Sequence, residues 1–132
     1  MSITITLSDQ DKSTLRTAAY GAVALMAAAG APHKGISHGS IALTSATGLV
    51  GHVLSAKSKD IHLQGKSVAD LADHVLPSLT AAMHLLGKQY PGEDVNFRDT
   101  VLVAVEAAQS SKGEPSPAVA AMGRKITAAL DA

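Results

Sequence analysis

The stretch SVADLADHVLPSLTAAMHLLG, residues 67–87, carries the clearest helical pattern of the chain. Its apolar residues recur at spacings of three and four, which is typical of one buried face of an α-helix. Ser67 and Asp70 resemble a capping box at the start of this helix, with Asp in place of Glu. Pro77 falls on the opposite side, where water can replace the lost backbone hydrogen bond, so it is expected to bend the helix without ending it. The apolar stripe consists of Val68, Leu71, Ala72, Val75, Leu76, Leu79, Ala82, Met83 and Leu86.

Two further helices are predicted upstream of this stretch. Ser8 is a good N-cap, and the two aspartates that follow it suit the positive end of a helix dipole, so the first helix is expected to begin there and end at Gly30. A second helix is predicted from about residue 40 to residue 57. Its glycines, Gly48 and Gly51, lower its intrinsic stability, and we expect them at close contacts between helices.

Two more helices are predicted downstream. Asp94 or Asn96 can cap a segment that runs to about Ser111, although the β-branched run VLVAV at 101–105 leaves a strand as the alternative. Residues 116–117, Ser-Pro, provide an N-cap and a first helical position for the last helix. The chain is therefore predicted to contain about five helices joined by short polar breaks.

The N-terminal segment has a different periodicity. Ile3, Ile5 and Leu7 alternate with threonines, which is typical of a short strand. Since no partner strand is apparent, residues 1–7 are predicted to form an extended arm that crosses the helices or pairs with a second copy of the chain. Together these elements predict an all-α fold, a single-domain bundle over residues 1–132 with a short extended N-terminal segment.

Composition excludes several classes of function. The chain of 132 residues has no cysteine, which rules out disulfides, thiolate metal sites and cysteine nucleophiles. Lys plus Arg equals Asp plus Glu at 11 each, so no overall charge directs the protein to nucleic acid. Aromatic residues make up only 2%, which disfavours a stacking surface for bases. No nucleic-acid partner is expected.

The apolar run at 18–31 resembles the core of a secretion signal or of a membrane anchor. Acidic and basic residues are mixed in its flank, and the run is too short to span a bilayer, so it is interpreted as a buried helix. A cytoplasmic location without a membrane partner is therefore expected. The alanine-rich composition suggests a bacterial, high-GC coding sequence.

The stretch HKGISHGS, residues 33–40, is the most suggestive candidate for a ligand site. It is predicted to be a turn-rich connector whose two glycines let backbone amides converge, next to the positive N-terminus of the following helix. An anion suits such a loop, but the spacing is not that of a phosphate-binding P-loop, and an ordinary connecting loop remains the alternative. The candidate anion- or ligand-binding residues are His33, Lys34, Gly35, Ser37, His38, Gly39 and Ser40.

Two potential metal ligands lie on the helix at 67–87. Asp70 and His74 stand one turn apart, as two metal ligands would, and His84 follows on the same polar side. Two ligands do not make a site, so the solvent-facing side of a helix is the preferred interpretation. His52 and His62 have no partner at a fixed spacing and are assigned structural or solvent roles. No cofactor is predicted.

Residues 35–39, GISHG, have the bare GxSxG spacing, but they do not clearly follow a strand, as the nucleophile elbow of a hydrolase does. The chain lacks HExxH and the EF-hand loop, and an enzyme is not favoured. The preferred hypothesis is a non-enzymatic helical interaction module that forms a homodimer, with a further protein partner possible. The alternative is a small-ligand or anion-binding protein, possibly an enzyme, that uses the stretch at 33–40.

Overall fold

The first helix begins at the capping box around Ser8. The Ser8 hydroxyl oxygen accepts a hydrogen bond from the Asp11 backbone N–H at 3.0 Å, and the Asp11 carboxylate accepts one from the Ser8 backbone N–H at 3.4 Å. Gly30 ends the helix in the left-handed conformation, with φ 113°. Both ends confirm the sequence prediction. The structure, a computed structural model, describes residues 7–55, 67–109 and 116–132.

The described residues form six helices in one compact bundle, one more than predicted, and contain no strand. The strand alternative for residues 101–105 is therefore wrong, since they lie within a continuous helix. The all-α prediction is confirmed. The helices are α1 (Asp9–Ala29), α2 (His33–Thr44), α3 (Gly48–Ser55), α4 (Val68–Gln89), α5 (Glu93–Gln109) and α6 (Pro117–Leu130).

Helix α1 lies at the centre of the bundle and packs against each of the other five helices. Its inward face is rich in alanine, and small side chains let neighbouring helices approach closely. Phe97 of α5 is fully buried in the same core. Leu7 of the predicted arm also joins the core, with 5% of its surface exposed. Residues 1–6 of that arm lie outside the described residues.

The single helix predicted at 40–57 is wrong, because the chain breaks at residues 45–47. The Ser45 hydroxyl donates to the Ile41 carbonyl at 2.8 Å, and such local bonds compete with helix continuation. Gly48 then adopts φ 70°, a conformation that side chains disfavour. The Asn96 side chain of α5 donates to the Thr47 carbonyl at 2.9 Å, so a neighbouring helix satisfies the freed backbone.

Two side chains of α1 hold the C-terminal end of α3. The buried Arg16 donates from Nε to the Val53 carbonyl at 3.0 Å, and the Tyr20 hydroxyl donates to the Leu54 carbonyl at 2.6 Å. These carbonyls belong to the C-terminal turn of α3, and the two bonds supply them with partners from another helix. Helix α1 therefore positions α3 through hydrogen bonds as well as packing.

Helix α4 follows the prediction closely. The Ser67 hydroxyl oxygen accepts a hydrogen bond from the Asp70 N–H at 3.1 Å, and Pro77 lies exposed inside the helix, on the side away from the core. The middle of α4 also contacts the end of α6, because the Thr80 hydroxyl donates to the Ala129 carbonyl at 2.7 Å. Helices α4 and α6 are thereby fixed against each other near the C-terminus of α6.

Candidate functional site

The predicted connector at 33–40 is not a loop. Residues 33–40 form most of α2, which starts directly after Pro32. Their backbone amides are therefore committed to the helix after its first turn and do not converge on a common concavity. The loop geometry on which the anion-binding prediction rested is wrong, and anion binding by this stretch stays a prediction without that support.

The glycines of α2 serve helix packing. Gly35 and Gly39 are buried, and a Cβ atom on Gly39 would lie 3.0 Å from the Ala104 carbonyl oxygen of α5 and 3.5 Å from a methyl group of Val23. Only glycine lets α2 approach α5 this closely without a shift of backbone. The polar members of the stretch lie apart from this contact: His33, Lys34, Ser37 and His38 are exposed, and Ser40 is half-buried.

The histidines do not assemble a metal centre in the part of the chain that the structure describes. Asp70 and His74 are both exposed on α4, and no group of three or more His, Asp or Glu side chains there is placed to hold a metal ion. His84 lies 3.1 Å from the Ala132 carbonyl oxygen through its Nε2 atom, and His52 is exposed. His62 lies outside the described residues.

Helix α5 presents apolar side chains to solvent. Val95 and Val103 are 55% and 56% exposed, and Leu102 is half-buried between them. At about 100° per residue these three side chains fall within roughly a 100° arc, together with Asp99 and Glu106. We call these five residues the outer face of α5. The sequence indicates the outer face of α5, because Val95 and Val103 fall outside the predicted inward stripe of this helix.

A groove runs between α5 and α6, beside the outer face of α5. Its volume is about 630 Å³, and Leu102 belongs to both surfaces. Alanines line part of the α6 wall, whereas the Gln109 side chain of α5 lies against Gly123 and fills the space that a Cβ atom would occupy there. We call it the α5–α6 groove; apolar and polar residues both line it, namely Leu102, Val105, Glu106, Gln109, Ala120, Gly123, Arg124, Thr127 and Ala128.

The two walls of this region carry opposite charges. The outer face of α5 contributes Asp99 and Glu106, whereas α6 contributes Arg124, which is exposed and lines the groove. Apolar groups and complementary charges are thus placed side by side on one surface. Such a surface can bind a partner by apolar burial and align it through charge.

None of the helices in the described ranges combines the length and the apolar character that a membrane crossing requires. Comparison of the chain with protein-family models, with curated proteins and with solved structures found no match.

Proposed function

We propose that the protein is a non-enzymatic helical interaction module that forms a homodimer through the outer face of α5 and the α5–α6 groove. The observation that carries this proposal is the exposure of Val95 and Val103 on α5, the helix that also forms one wall of the α5–α6 groove. Exposed apolar surface rimmed by polar residues is a common mark of an interaction site.

Burial of this surface supplies the driving force for association. Apolar surface removed from water contributes about 25 cal/mol per Å², and a two-fold dimer buries the same patch on both copies. Leu102, already half-buried, extends the apolar surface from the exposed valines into the groove. The interaction therefore needs no rearrangement of the core, because Val95, Val103 and Leu102 already reach the surface.

The arrangement of the surface favours a second copy as the occupant. Leu102 joins the outer face of α5 to the groove, so a two-fold rotation can place the outer face of each copy against the groove of the other. The same rotation brings the exposed Asp99 towards Arg124 of the opposite copy. The net formal charge of zero leaves no overall repulsion against association.

The test is analytical ultracentrifugation of the protein over a wide concentration range. We expect a species of twice the 13.4 kDa chain mass. The substitution Val103→Lys places a charge on the outer face of α5 and should raise the dimer dissociation constant about tenfold or more. Ile41→Lys is the matched control, because Ile41 is 60% exposed on α2 and is expected to leave association unchanged.

Two results would contradict the proposal. A monomer at every concentration would exclude self-association, and a dimer that Val103→Lys leaves intact would place the interface elsewhere on the molecule. Equal weakening by Val103→Lys and Ile41→Lys would also count against it, since a specific interface must distinguish the two sites.

A further inference from the structure

A small polar cleft lies between α1 and α4, away from the surface proposed for dimerisation. We call it the α1–α4 cleft; its volume is about 190 Å³ and it is lined by Gln10, Ser13, Thr14, Thr17, His74 and Ser78. We propose that this cleft binds a small, uncharged, polyhydroxylated molecule of about the size of glycerol. The proposal is independent of the homodimer.

Thr17 is the residue that points to a ligand. Its side chain lines the cleft, only 7% of its surface is exposed, and its hydroxyl has no hydrogen-bond partner within the ranges that the structure describes. Buried hydroxyl groups are normally paired, because leaving one unpaired is unfavourable. A bound molecule with its own hydroxyl groups would supply the missing partner.

The neighbouring side chains define which hydrogen bonds a ligand can make. The Thr14 hydroxyl donates to the Gln10 carbonyl at 3.1 Å, and the Ser78 hydroxyl donates to the His74 carbonyl at 3.0 Å. Each hydroxyl has thus used its proton and keeps lone pairs that accept. The Gln10 amide both donates and accepts. Adjacent hydroxyl groups of a polyol, which also donate and accept, match this set.

The size and charge of the cleft limit the class of ligand. Typical drug-sized pockets enclose about 300–1,000 Å³, so this cleft suits a much smaller molecule. No Asp, Glu, Lys or Arg side chain is among its lining residues, whereas a desolvated ion needs a counter-charge. A neutral polyol is therefore favoured over a metal ion, a phosphate or a carboxylate.

Glycerol is the probe, and NMR of the γ-methyl group of Thr17 is the readout. We expect a saturable shift with a dissociation constant on the order of millimolar, given the few atoms available for contact. 1-Propanol, which has a similar carbon skeleton and a single hydroxyl, should bind about tenfold more weakly or worse, because it cannot satisfy several polar groups at once.

The substitution Thr17→Val keeps the shape of the side chain and removes its hydroxyl. It should raise the glycerol dissociation constant about tenfold, as followed at the His74 ring, whereas Thr44→Val on the exposed side of α2 should not. Ser78→Ala provides a second variant that weakens binding if Thr17→Val does not fold. A methyl chemical shift that changes linearly with glycerol concentration, without saturation, would overturn the proposal. The cleft would then hold only water. Equal affinity in the wild type and in the folded cleft variants would overturn it as well.

Discussion

Glu93 of α5 caps helix α3 from outside that helix: its Oε1 atom accepts a hydrogen bond from the Leu49 backbone N–H at 2.8 Å. The carboxylate satisfies one of the unpaired N–H groups of the first turn and lies at the positive end of the helix dipole. Arg16 and Tyr20 of α1 bond the opposite end of α3. A helix of eight residues is too short to be stable alone, so α3 depends on these contacts from neighbouring helices.

Removal of the charge of Glu93 should destabilise the protein. Glu93→Gln keeps an oxygen that can accept from Leu49 but loses the charge, and we expect the free energy of unfolding to fall by about 1 kcal/mol. Urea denaturation measures the change. Asp73→Asn, an exposed substitution inside α4, is the control and should change stability by less than about 0.5 kcal/mol. Equal effects of the two would show that Glu93 does not act as a cap.

Loss of the Tyr20 hydroxyl should leave the Leu54 carbonyl without its partner. We expect Tyr20→Phe to lower the free energy of unfolding by about 1 kcal/mol, because the bond is short and partly buried. Thr44→Val, which removes a hydroxyl from an exposed position, is the control and should cost less. A stability equal to that of the wild type would mean that the hydroxyl bonds water equally well.

The same tyrosine should titrate at high pH. Burial raises the pKa of Tyr20 above 10.0, and the nearby charge of Arg16 only partly opposes this effect. The folded state therefore holds the phenol proton more tightly than the unfolded state does. Its contribution to stability is present below about pH 10 and is lost as the pH rises through the folded pKa. The difference between the phenolate absorbance titrations of wild type and Tyr20→Phe should give a pKa above 10.0; a value at or below it would contradict the structure.

Helix ends with local signals could be predicted from the sequence. Ser8, Ser67 and Ser116 each cap a helix through a hydrogen bond to a backbone N–H three residues ahead, so the information lies within one turn of chain. The amphipathic stripe of α4 is equally local. Such features need no knowledge of the rest of the fold.

The division between α2 and α3 could not be predicted in this way. Two glycines made residues 33–40 resemble a connector, but packing of Gly39 against Ala104 outweighs its weak helix propensity. The partners that satisfy the break at 45–47 come from α5, about 45 residues further along the chain. Pro32 stands at the N-cap of α2, one residue before the position where proline is most common in helices, so it gave no clear local sign of a helix start.

The candidate interaction surface was only partly predictable. Val95 and Val103 stand outside the inward stripe of α5, which marks them as exposed apolar residues once α5 is known to be a helix. The α5–α6 groove depends on how two helices pair in space, and no spacing within either helix indicates that. The same holds for the α1–α4 cleft, where Thr17 and His74 come together from different helices.

The close contact at Gly39 can be tested directly. Gly39→Leu must push α2 away from α5, and we expect a loss of about 2 kcal/mol or more in the free energy of unfolding. Ser37→Leu, on the exposed side of the same helix, should change stability by less than about 0.5 kcal/mol. Had residues 33–40 formed an exposed loop, the two substitutions would have similar effects, and that result would contradict the helix.

Arg98 and Asp131 should couple α5 to the end of α6 in a pH-dependent way. The Arg98 guanidinium donates to the Asp131 carboxylate at 2.6 Å, and this hydrogen bond holds the pKa of Asp131 below 3.8. The contribution of the pair to stability is therefore present above about pH 4 and is lost as the pH falls through the lower, folded pKa.

Carboxyl NMR of Asp131 measures this effect. Arg98→Gln should raise its pKa towards 3.8, whereas Arg124→Gln, about two turns earlier on α6, should leave it unchanged. An Asp131 pKa that is the same in the wild type and in Arg98→Gln would show that the pair does not persist in solution.

The most direct test of the proposed homodimer is an isotope-filtered NOE experiment on a mixture of labelled and unlabelled chains. It detects only contacts between copies, and the groove offers the methyl groups of Ala120 and Ala128 as reporters. We expect intermolecular NOEs from the methyl groups of Val95 and Val103 to those of Ala120 and Ala128. A dimer whose intermolecular NOEs involve none of these residues, or a sample with no intermolecular NOEs at high concentration, would contradict association through the outer face of α5.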